Sequence, residues 1–445
     1  MKTLKARQQS GQVIMIVAFS LVALIGAVGL AIDSGLGYLL KAKLNAAIDS
    51  ASIAGARAVS NGSDQATQAA NAKQAAREFF NANMPANYLG SSVVLNDPVV
   101  TFNQGKVTID TSATASIPVS LTRVMGFKVL NVAASAQTIR KDLDMAFVVD
   151  TSGSLSSQAA KVRSSAASFI NKFSPTTDRL SLIHFSYGAV VDDPINLVSR
   201  GFNRTTMTNH INGYGFSGLT NSSEGIWLGR NELNRIAQIN RSSMRVIVFF
   251  SDGSPNSFAS YFTFKNPGNC SLPGTLITGD SASGSSLEGL WKMDKQSQQL
   301  TGQCYQSDLT SSLTSTGMPA FYNAHNSADR EFAVVTNSPR VVTSKPSWVN
   351  VNRASRNLVE SIAEKARTEG IYIFTLGLGA QLQSNTGPDN EKGENVLKCM
   401  ANTTDALARC RKSNQPTGLY CFAATEDQLS PCFSKLASEI LRITK

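Results

Sequence analysis

Two apolar runs in this chain end abruptly in an aspartate, and this feature constrains the fold more than any other. LDMAFVVD ends at Asp150, and MRVIVFFSD ends at Asp252. Continuous apolar runs bounded by polar residues are typical of strands buried on both faces of a sheet. In open α/β sheets the ligand site lies beyond the carboxyl ends of such strands. Both carboxylates are therefore expected at a binding edge.

The second part of the chain, residues 141–445, repeats this alternation of strand and helix. RLSLIHFSYGA and IYIFTLGLG are apolar candidate strands, and NLVESIAEKARTEG between them is an amphipathic helical segment. The pattern predicts an α/β domain with a doubly wound, mostly parallel, Rossmann-like sheet. A stretch rich in Ser, Gly, Asn and Thr, from about 254 to 352, interrupts it. We predict that this stretch is a long insertion beside the binding edge of the sheet. It is either an ordered cap that shapes partner selection or a decorative addition.

Hydroxyls and carboxylates cluster at the predicted strand ends and supply only oxygen ligands. The candidate metal ligands are Asp150, Ser152, Ser154, Thr220 and Asp252. Oxygen donors suit a hard divalent cation, with Mg²⁺ as the first choice and Mn²⁺ or Ca²⁺ as alternatives, because geometry rather than ligand type separates these ions. The set contains no His or Cys, which argues against zinc.

The order D-x-S-x-S, then Thr in GLTNSSEG, then Asp-Gly in FFSDGS resembles the metal-ion-dependent adhesion site of von Willebrand factor A domains. The resemblance implies that Ser152 and Ser154 bind the metal directly and that Thr220 binds it directly or through water. Asp150 and Asp252 would act through bridging waters. The remaining ligand would come from an acidic side chain of a protein partner. A domain that keeps these residues but holds no metal is the alternative.

Near the N-terminus, Val13 to Ile32 form an apolar stretch long enough to cross a bilayer as a helix. Lys2, Lys5 and Arg7 precede it, so the positive-inside rule predicts a single span with a cytoplasmic N-terminus. A cleaved signal peptide is the competing interpretation, although its apolar region is usually shorter and no clear A-x-A site follows.

The helical pattern continues beyond the apolar stretch, through GYLLKAKLNAAIDSASIAGARAV. Its small residues either bind a partner helix or pack on their own domain. The whole segment resembles the N-terminus of TadG-like proteins of the Flp (tight-adherence) pilus system, which implies a pseudopilin-like helix, a bacterial inner-membrane location and pilus-assembly partners. Gly11 resembles a prepilin cleavage position, but positions 12–16 hold no glutamate or other acid, so processing there is not expected. This segment is predicted to occupy residues 1–60.

Residues 61–140 are predicted to form a small α+β spacer without chemistry of their own. A polar helical stretch precedes segments that alternate with period 2, and Asn103-Gln104-Gly105 has the composition of a hairpin turn.

All six cysteines lie in the last two-fifths of the chain and none forms a C-x-x-C pair: Cys270, Cys304, Cys399, Cys410, Cys421 and Cys432. Their even number predicts disulfides in an oxidising compartment, with free thiols in the cytosol as the alternative. We expect Cys270 to pair with Cys304 inside the insertion and the other four to pair near the C-terminus.

Composition and motifs argue against other functions. The net charge is +10, but Lys and Arg are dispersed, so nucleic-acid binding is not expected. The chain has neither a G-x-S-x-G elbow nor a phosphate-binding loop. His184 lies within a candidate strand, and His210 and His325 have no neighbouring acid in sequence. We therefore predict a non-enzymatic, membrane-anchored Mg²⁺-dependent adhesion module of a pilus system. The alternative is an assembly scaffold that acts through its anchor helix.

Overall fold

The chain folds into two compact units, Met1–Arg140 and Lys141–Lys445. The structure is a computed structural model, and it describes residues 10–59, 65–103, 106–141, 143–242, 244–266, 270–279 and 286–443. Lys2, Lys5 and Arg7, on which the predicted membrane orientation depends, lie outside the described residues, as do Gln104 and Gly105 of the predicted turn.

Eight helices occur in the described part of the chain. They are α1 (Ser10–Ala58), α2 (Gln65–Asn83), α3 (Ala159–Ile170), α4 (Arg204–Gly213), α5 (Ser222–Arg235), α6 (Trp348–Thr368), α7 (Gly393–Ala401) and α8 (Leu429–Ile443).

The same residues form fifteen strands. The first unit contains β1 (Ser92–Leu95), β2 (Val99–Asn103), β3 (Lys106–Pro118) and β4 (Val129–Lys141). The second contains β5 (Leu143–Asp150), β6 (Arg179–Phe185), β7 (Ala189–Asp193), β8 (Met244–Ser251), β9 (Ser257–Ser260), β10 (Gly274–Ile277), β11 (Glu288–Trp291), β12 (Ile371–Leu378), β13 (Asn385–Thr386), β14 (Glu391–Lys392) and β15 (Tyr420–Ala423).

In the first unit, the C-terminal half of α1 packs on α2 and on a four-stranded sheet in which β1, β2 and β4 all pair with β3. The N-terminal half, from Val13, is long and apolar enough to cross a membrane by length and composition. Ala47, Ala51 and Ala54 are buried in the core of this unit. The sequence left two roles open for the small residues of this helix, binding a partner helix or packing on their own domain. These alanines pack on their own unit, so they are not available to bind a partner helix.

The second unit is built on a six-stranded sheet of order β15-β12-β8-β5-β6-β7. All neighbours are parallel except the edge strand β7, which is antiparallel to β6. Helices α5, α6 and α7 cover one face, and α3, α4 and α8 cover the other. The predicted doubly wound α/β sheet is confirmed. Its central strands β5 and β8 are buried along their whole length, which explains their unbroken apolar sequence.

The described residues between β8 and α6 form an ordered insertion. It contains the antiparallel sheet β11-β10-β9, and its apolar side chains share one core with α5 and α6. Helix α6 begins at Trp348, before the predicted end of the insertion at 352, because the Ser347 side chain accepts a hydrogen bond from the Asn350 amide and caps the helix there. The insertion thus packs as part of the domain core, and its role in partner selection stays a prediction.

The six cysteines form three disulfides. Cys270 is joined to Cys304 within the insertion, and the other bridges, Cys399–Cys410 and Cys421–Cys432, both lie near the C-terminus.

Candidate metal centre

Strands β5 and β8 place the two aspartates at one edge of the sheet. The strands are parallel neighbours, with Val149 opposite Phe250, so both strands end at the same level of the sheet. Asp150 is fully buried, and Asp252 is 6% exposed. The carboxyl ends of the strands therefore bring together two acids that are about a hundred residues apart in sequence.

Both predicted serines point their hydroxyls at Asp252. Ser154 Oγ donates to Asp252 Oδ1 at 2.9 Å, and Ser152 Oγ lies 3.5 Å from the same oxygen. The two hydroxyl oxygens are 3.1 Å apart. A hydroxyl that donates its proton to a carboxylate keeps its lone pairs, so both serines retain the capacity to bind a cation.

Both oxygens of the Asp150 carboxylate accept hydrogen bonds, one of them from the start of the loop that carries Ser152 and Ser154. Its Oδ1 accepts a 2.8 Å hydrogen bond from the Ser152 amide, and its Oδ2 accepts one of 2.5 Å from Ser251 Oγ. Sequence reasoning did not single out Ser251. Its position next to Asp252, at the end of a buried strand, was the available signal, because a buried hydroxyl there needs an acceptor.

Thr220 reaches the centre on the loop that precedes α5. Its amide donates to Asn256 Oδ1 at 3.1 Å, and a Cβ at Gly253 would lie 3.2 Å from its hydroxyl oxygen. Helix α5, which follows this loop, packs closely on the sheet at Gly225, where a Cβ would lie 2.9 Å from the Phe185 ring. Only glycine lets α5 approach the sheet this closely. The structure therefore brings Asp150, Ser152, Ser154 and Asp252 together, and it places Thr220 beside Gly253, which follows Asp252.

The electrostatics of the centre favour a cation. Burial raises the pKa of Asp150, and burial together with the negative charge of Asp150 raises the pKa of Asp252. Among the described residues, hydroxyls and amides surround both acids, and no lysine or arginine pairs with either. Two neighbouring buried carboxylates without a basic partner, together with three hydroxyls, fit the donor set of a hard divalent ion.

The insertion reaches the rim of the centre through Gln296. Its side-chain amide donates to the Gly215 carbonyl at 2.7 Å and to the Thr151 carbonyl at 3.3 Å. The backbone carbonyl of Gln296 accepts a hydrogen bond from the Tyr187 amide at 3.1 Å. Gln296 therefore ties the insertion to the loops that carry the serines and Thr220. No sequence pattern marked this residue.

Each of the three histidines has an acidic partner. His184 Nδ1 lies 2.7 Å from Asp192 Oδ2, and its ring is half-buried, as predicted for a strand residue. His210 Nδ1 lies 2.7 Å from an Asp193 oxygen. The expectation that His210 lacks an orienting acid is wrong, because the fold supplies one from β7.

The third histidine, His325, belongs to a buried cluster on α5 that we call the Glu224 cluster. Glu224 is fully buried, accepts a hydrogen bond from Tyr322 Oη and lies 3.0 Å from His325 Nε2. The His325 ring stacks on Trp227 at 3.5 Å. The expectation that His325 lacks an acid is therefore also wrong. The cluster joins the insertion to α5.

Comparison with protein families agrees with this architecture. Residues 144–265 match the von Willebrand factor type A domain, and residues 11–58 match the Flp pilus-assembly TadE/G-like family. The chain thus carries a segment that matches the von Willebrand factor type A domain, preceded by an N-terminal segment that matches the Flp pilus-assembly TadE/G-like family. No curated protein matches the chain.

Several solved structures are similar to the chain. The PilB minor pilin from Streptococcus sanguinis is 13% identical, with a TM-score of 0.39 over 80% of this chain and 79% of that one. The vWF domain of the type V pili tip protein Mfa5 from Porphyromonas gingivalis is 12% identical, with a TM-score of 0.37 over 69% and 98%. Proximal thread matrix protein 1 from the mussel byssus, with a zinc-occupied MIDAS motif, is 12% identical, with a TM-score of 0.33 over 68% and 46%.

Proposed function

We propose that this chain is a non-enzymatic, membrane-anchored adhesion module of a Flp (Tad) pilus system that binds a protein partner through a divalent metal. The observation that carries the proposal is the convergence of Ser152 and Ser154 on two buried carboxylates that have no basic partner among the described residues, with Thr220 beside the adjoining Gly253. The TadE/G-like match supports the assignment to a pilus system.

In this proposal the metal is held by oxygen alone. Ser152 and Ser154 bind it through their hydroxyls, Thr220 binds it directly or through water, and Asp150 and Asp252 supply negative charge through bridging waters. Mg²⁺ is the preferred ion, and Mn²⁺ and Ca²⁺ are the alternatives. When bound, the ion supplies a positively charged coordination position for an oxygen of the partner.

The partner is proposed to contribute an acidic side chain. Ser154 is exposed, whereas Asp150 and Ser152 are buried, so the centre opens to solvent on the Ser154 side. Because both aspartates act through water in this proposal, the ion has no negatively charged direct ligand, and an incoming carboxylate would supply one. The insertion adjoins this opening through Gln296 and is proposed to select the partner.

We further propose a bacterial inner-membrane location, with a single span, a cytoplasmic N-terminus and both folded units outside the cytoplasm. The apolar helix supports the span, and three disulfides support an oxidising compartment.

The test is calorimetric titration of Mg²⁺, Mn²⁺, Ca²⁺ and Zn²⁺ into the full chain in detergent. Ser154→Ala removes one direct ligand and is expected to weaken Mg²⁺ binding at least tenfold. Ser157→Ala is the matched control, because it removes an exposed hydroxyl from the same loop. Equal affinities of the two variants, or the absence of Mg²⁺ binding to the folded protein, would refute the metal assignment.

Partner binding has its own test. An immobilised peptide library with free carboxylates should bind the Mg²⁺-loaded protein, and EDTA should abolish this binding. Asp252→Asn should abolish it as well, without change in the circular dichroism spectrum. Binding that persists in EDTA would show that the partner uses another surface.

A further inference from the structure

The loop between β3 and β4 exposes a concentrated apolar surface. We call residues 121–129 the β3–β4 tip. Val124, Met125, Phe127 and Val129 within it are each more than half exposed. Contiguous exposed apolar side chains of this size mark an interaction surface rather than ordinary solvent-facing structure.

The tip lies on one face of helix α1. A Cβ at Gly26 would be 3.1 Å from Met125 Sδ, and a Cβ at Gly29 would be 2.7 Å from Leu121 Cβ. These glycines are buried, whereas residues 13–24 of the helix are all exposed. The tip therefore covers the helix within the apolar stretch that ends at Ile32, and its Leu121 and Thr122 amides also reach Asp33, the next residue.

Helix length places this contact inside a bilayer. At a rise of about 1.5 Å per residue, the uncovered segment 13–25 is only about 20 Å long. A hydrocarbon core is about 30 Å thick, which requires the whole stretch from Val13 to Ile32. A spanning α1 thus carries the tip roughly 9 Å into the leaflet on the side of the folded unit.

The backbone of the tip suits a low-dielectric environment. Amide groups that would otherwise face lipid have acceptors: Asp33 accepts from the amides of Ser120, Leu121 and Thr122 at 2.9–3.2 Å. The Val124 amide donates to the Leu121 carbonyl, and that of Gly126 to the Arg123 carbonyl. A loop whose amide groups lack hydrogen-bond acceptors is excluded from hydrocarbon, whereas many amides of this loop have acceptors within the protein.

We propose that the β3–β4 tip is a second membrane-binding element, which inserts beside α1 at the boundary between headgroups and acyl chains. Arg123 precedes Val124, Lys128 lies between Phe127 and Val129, and both are exposed, so their long side chains can reach lipid phosphates. This inference rests on the proposed membrane anchor. Its consequence is that the first unit is held against the bilayer at two places instead of hanging from one helix.

The experiment measures depth in the bilayer with the full chain in phosphatidylcholine–phosphatidylglycerol vesicles. Because all six native cysteines are in disulfides, one added cysteine gives a single labelling site for an environment-sensitive fluorophore. Val124→Cys reports on the tip, with Phe127→Cys as a second tip site. Val22→Cys reports on the anchor. Val94→Cys, on an exposed face of β1, is the control.

Lipids brominated in the acyl chain are expected to reduce emission at the tip and the anchor roughly twofold or more, and to leave Val94 nearly unchanged, because the quencher reaches only groups within the leaflet. Quenching at Val22 without quenching at Val124 and Phe127 would overturn the inference and leave the anchor intact. Absence of quenching at Val22 as well would overturn both. A blue-shifted but unquenched tip would mean that protein, such as a second copy of this chain, covers it, and that result also refutes lipid insertion.

Discussion

Removing one buried hydroxyl should loosen the insertion from the domain. Tyr322 is 2% exposed, and its hydroxyl donates to the fully buried carboxylate of Glu224. Burial and the charge of Glu224 raise the pKa of Tyr322 well above its ordinary value, so the hydroxyl remains a donor at every physiological pH. Tyr322→Phe keeps the ring and its packing, and it takes away one of the two partners of the carboxylate.

The expected cost is about 2 kcal/mol, because a hydrogen bond to a charged buried group contributes about 1.5–3 kcal/mol and its loss leaves the acceptor partly unsatisfied. This corresponds to roughly a thirtyfold shift in the unfolding equilibrium. Tyr305→Phe is the matched control, because Tyr305 donates to the Glu288 carboxylate at 2.5 Å near the surface. Its loss should cost less than about 0.5 kcal/mol, since water replaces the hydroxyl.

The assay is urea unfolding of fragment 141–445, followed by hydrogen exchange of the amides around Tyr322. The insertion should exchange faster in Tyr322→Phe than in Tyr305→Phe, since the Glu224 cluster joins it to α5. Equal costs for the two variants would refute the reasoning. So would a Tyr322→Phe protein as stable as the wild type, because the cluster would then add nothing to the attachment of the insertion.

Three further outcomes are expected. The Asp193 carboxylate raises the pKa of His210. This pair therefore stabilises the fold fully below about pH 6.5 and loses its effect as pH rises through the folded pKa of His210. Because the His210 side chain is 42% exposed, His210→Gln should lower the free energy of unfolding in urea by at most about 0.5 kcal/mol at low pH and not at all at about pH 8.5. On the proposed metal site, Ser251→Ala should weaken Mg²⁺ binding about tenfold by calorimetry, because it frees Asp150 Oδ2 from its partner; unchanged affinity would contradict this role. Replacing both cysteines of the insertion bridge, separated by 34 residues, should cost about 4 kcal/mol, against about 3 for a bridge separated by 11; the reverse order by thermal unfolding would be evidence against the loop-entropy argument.

Local sequence was sufficient for the strands that carry the candidate site. The apolar runs before Asp150 and Asp252 are buried along their length in the centre of a parallel sheet, as their unbroken hydrophobicity predicted. The interpretation of the small residues of α1 stayed open because an alanine face suits a partner helix and an intramolecular contact equally well. Only the position of α2 and the first sheet showed that Ala47 and Ala51 are buried within their own unit.

The sequence by itself determined the class of sheet, the long apolar helix and the candidate set of five oxygen donors, because periodicity and the order of short motifs depend on residues close together in the chain. Tertiary structure alone decided what surrounds them. Ser251 beneath Asp150, Gln296 at the rim and Glu224 against Tyr322 join segments that are 98 to 145 residues apart. Such pairs have no signature in a single sequence, because a buried polar group needs only some partner, and long-range packing selects which one it meets.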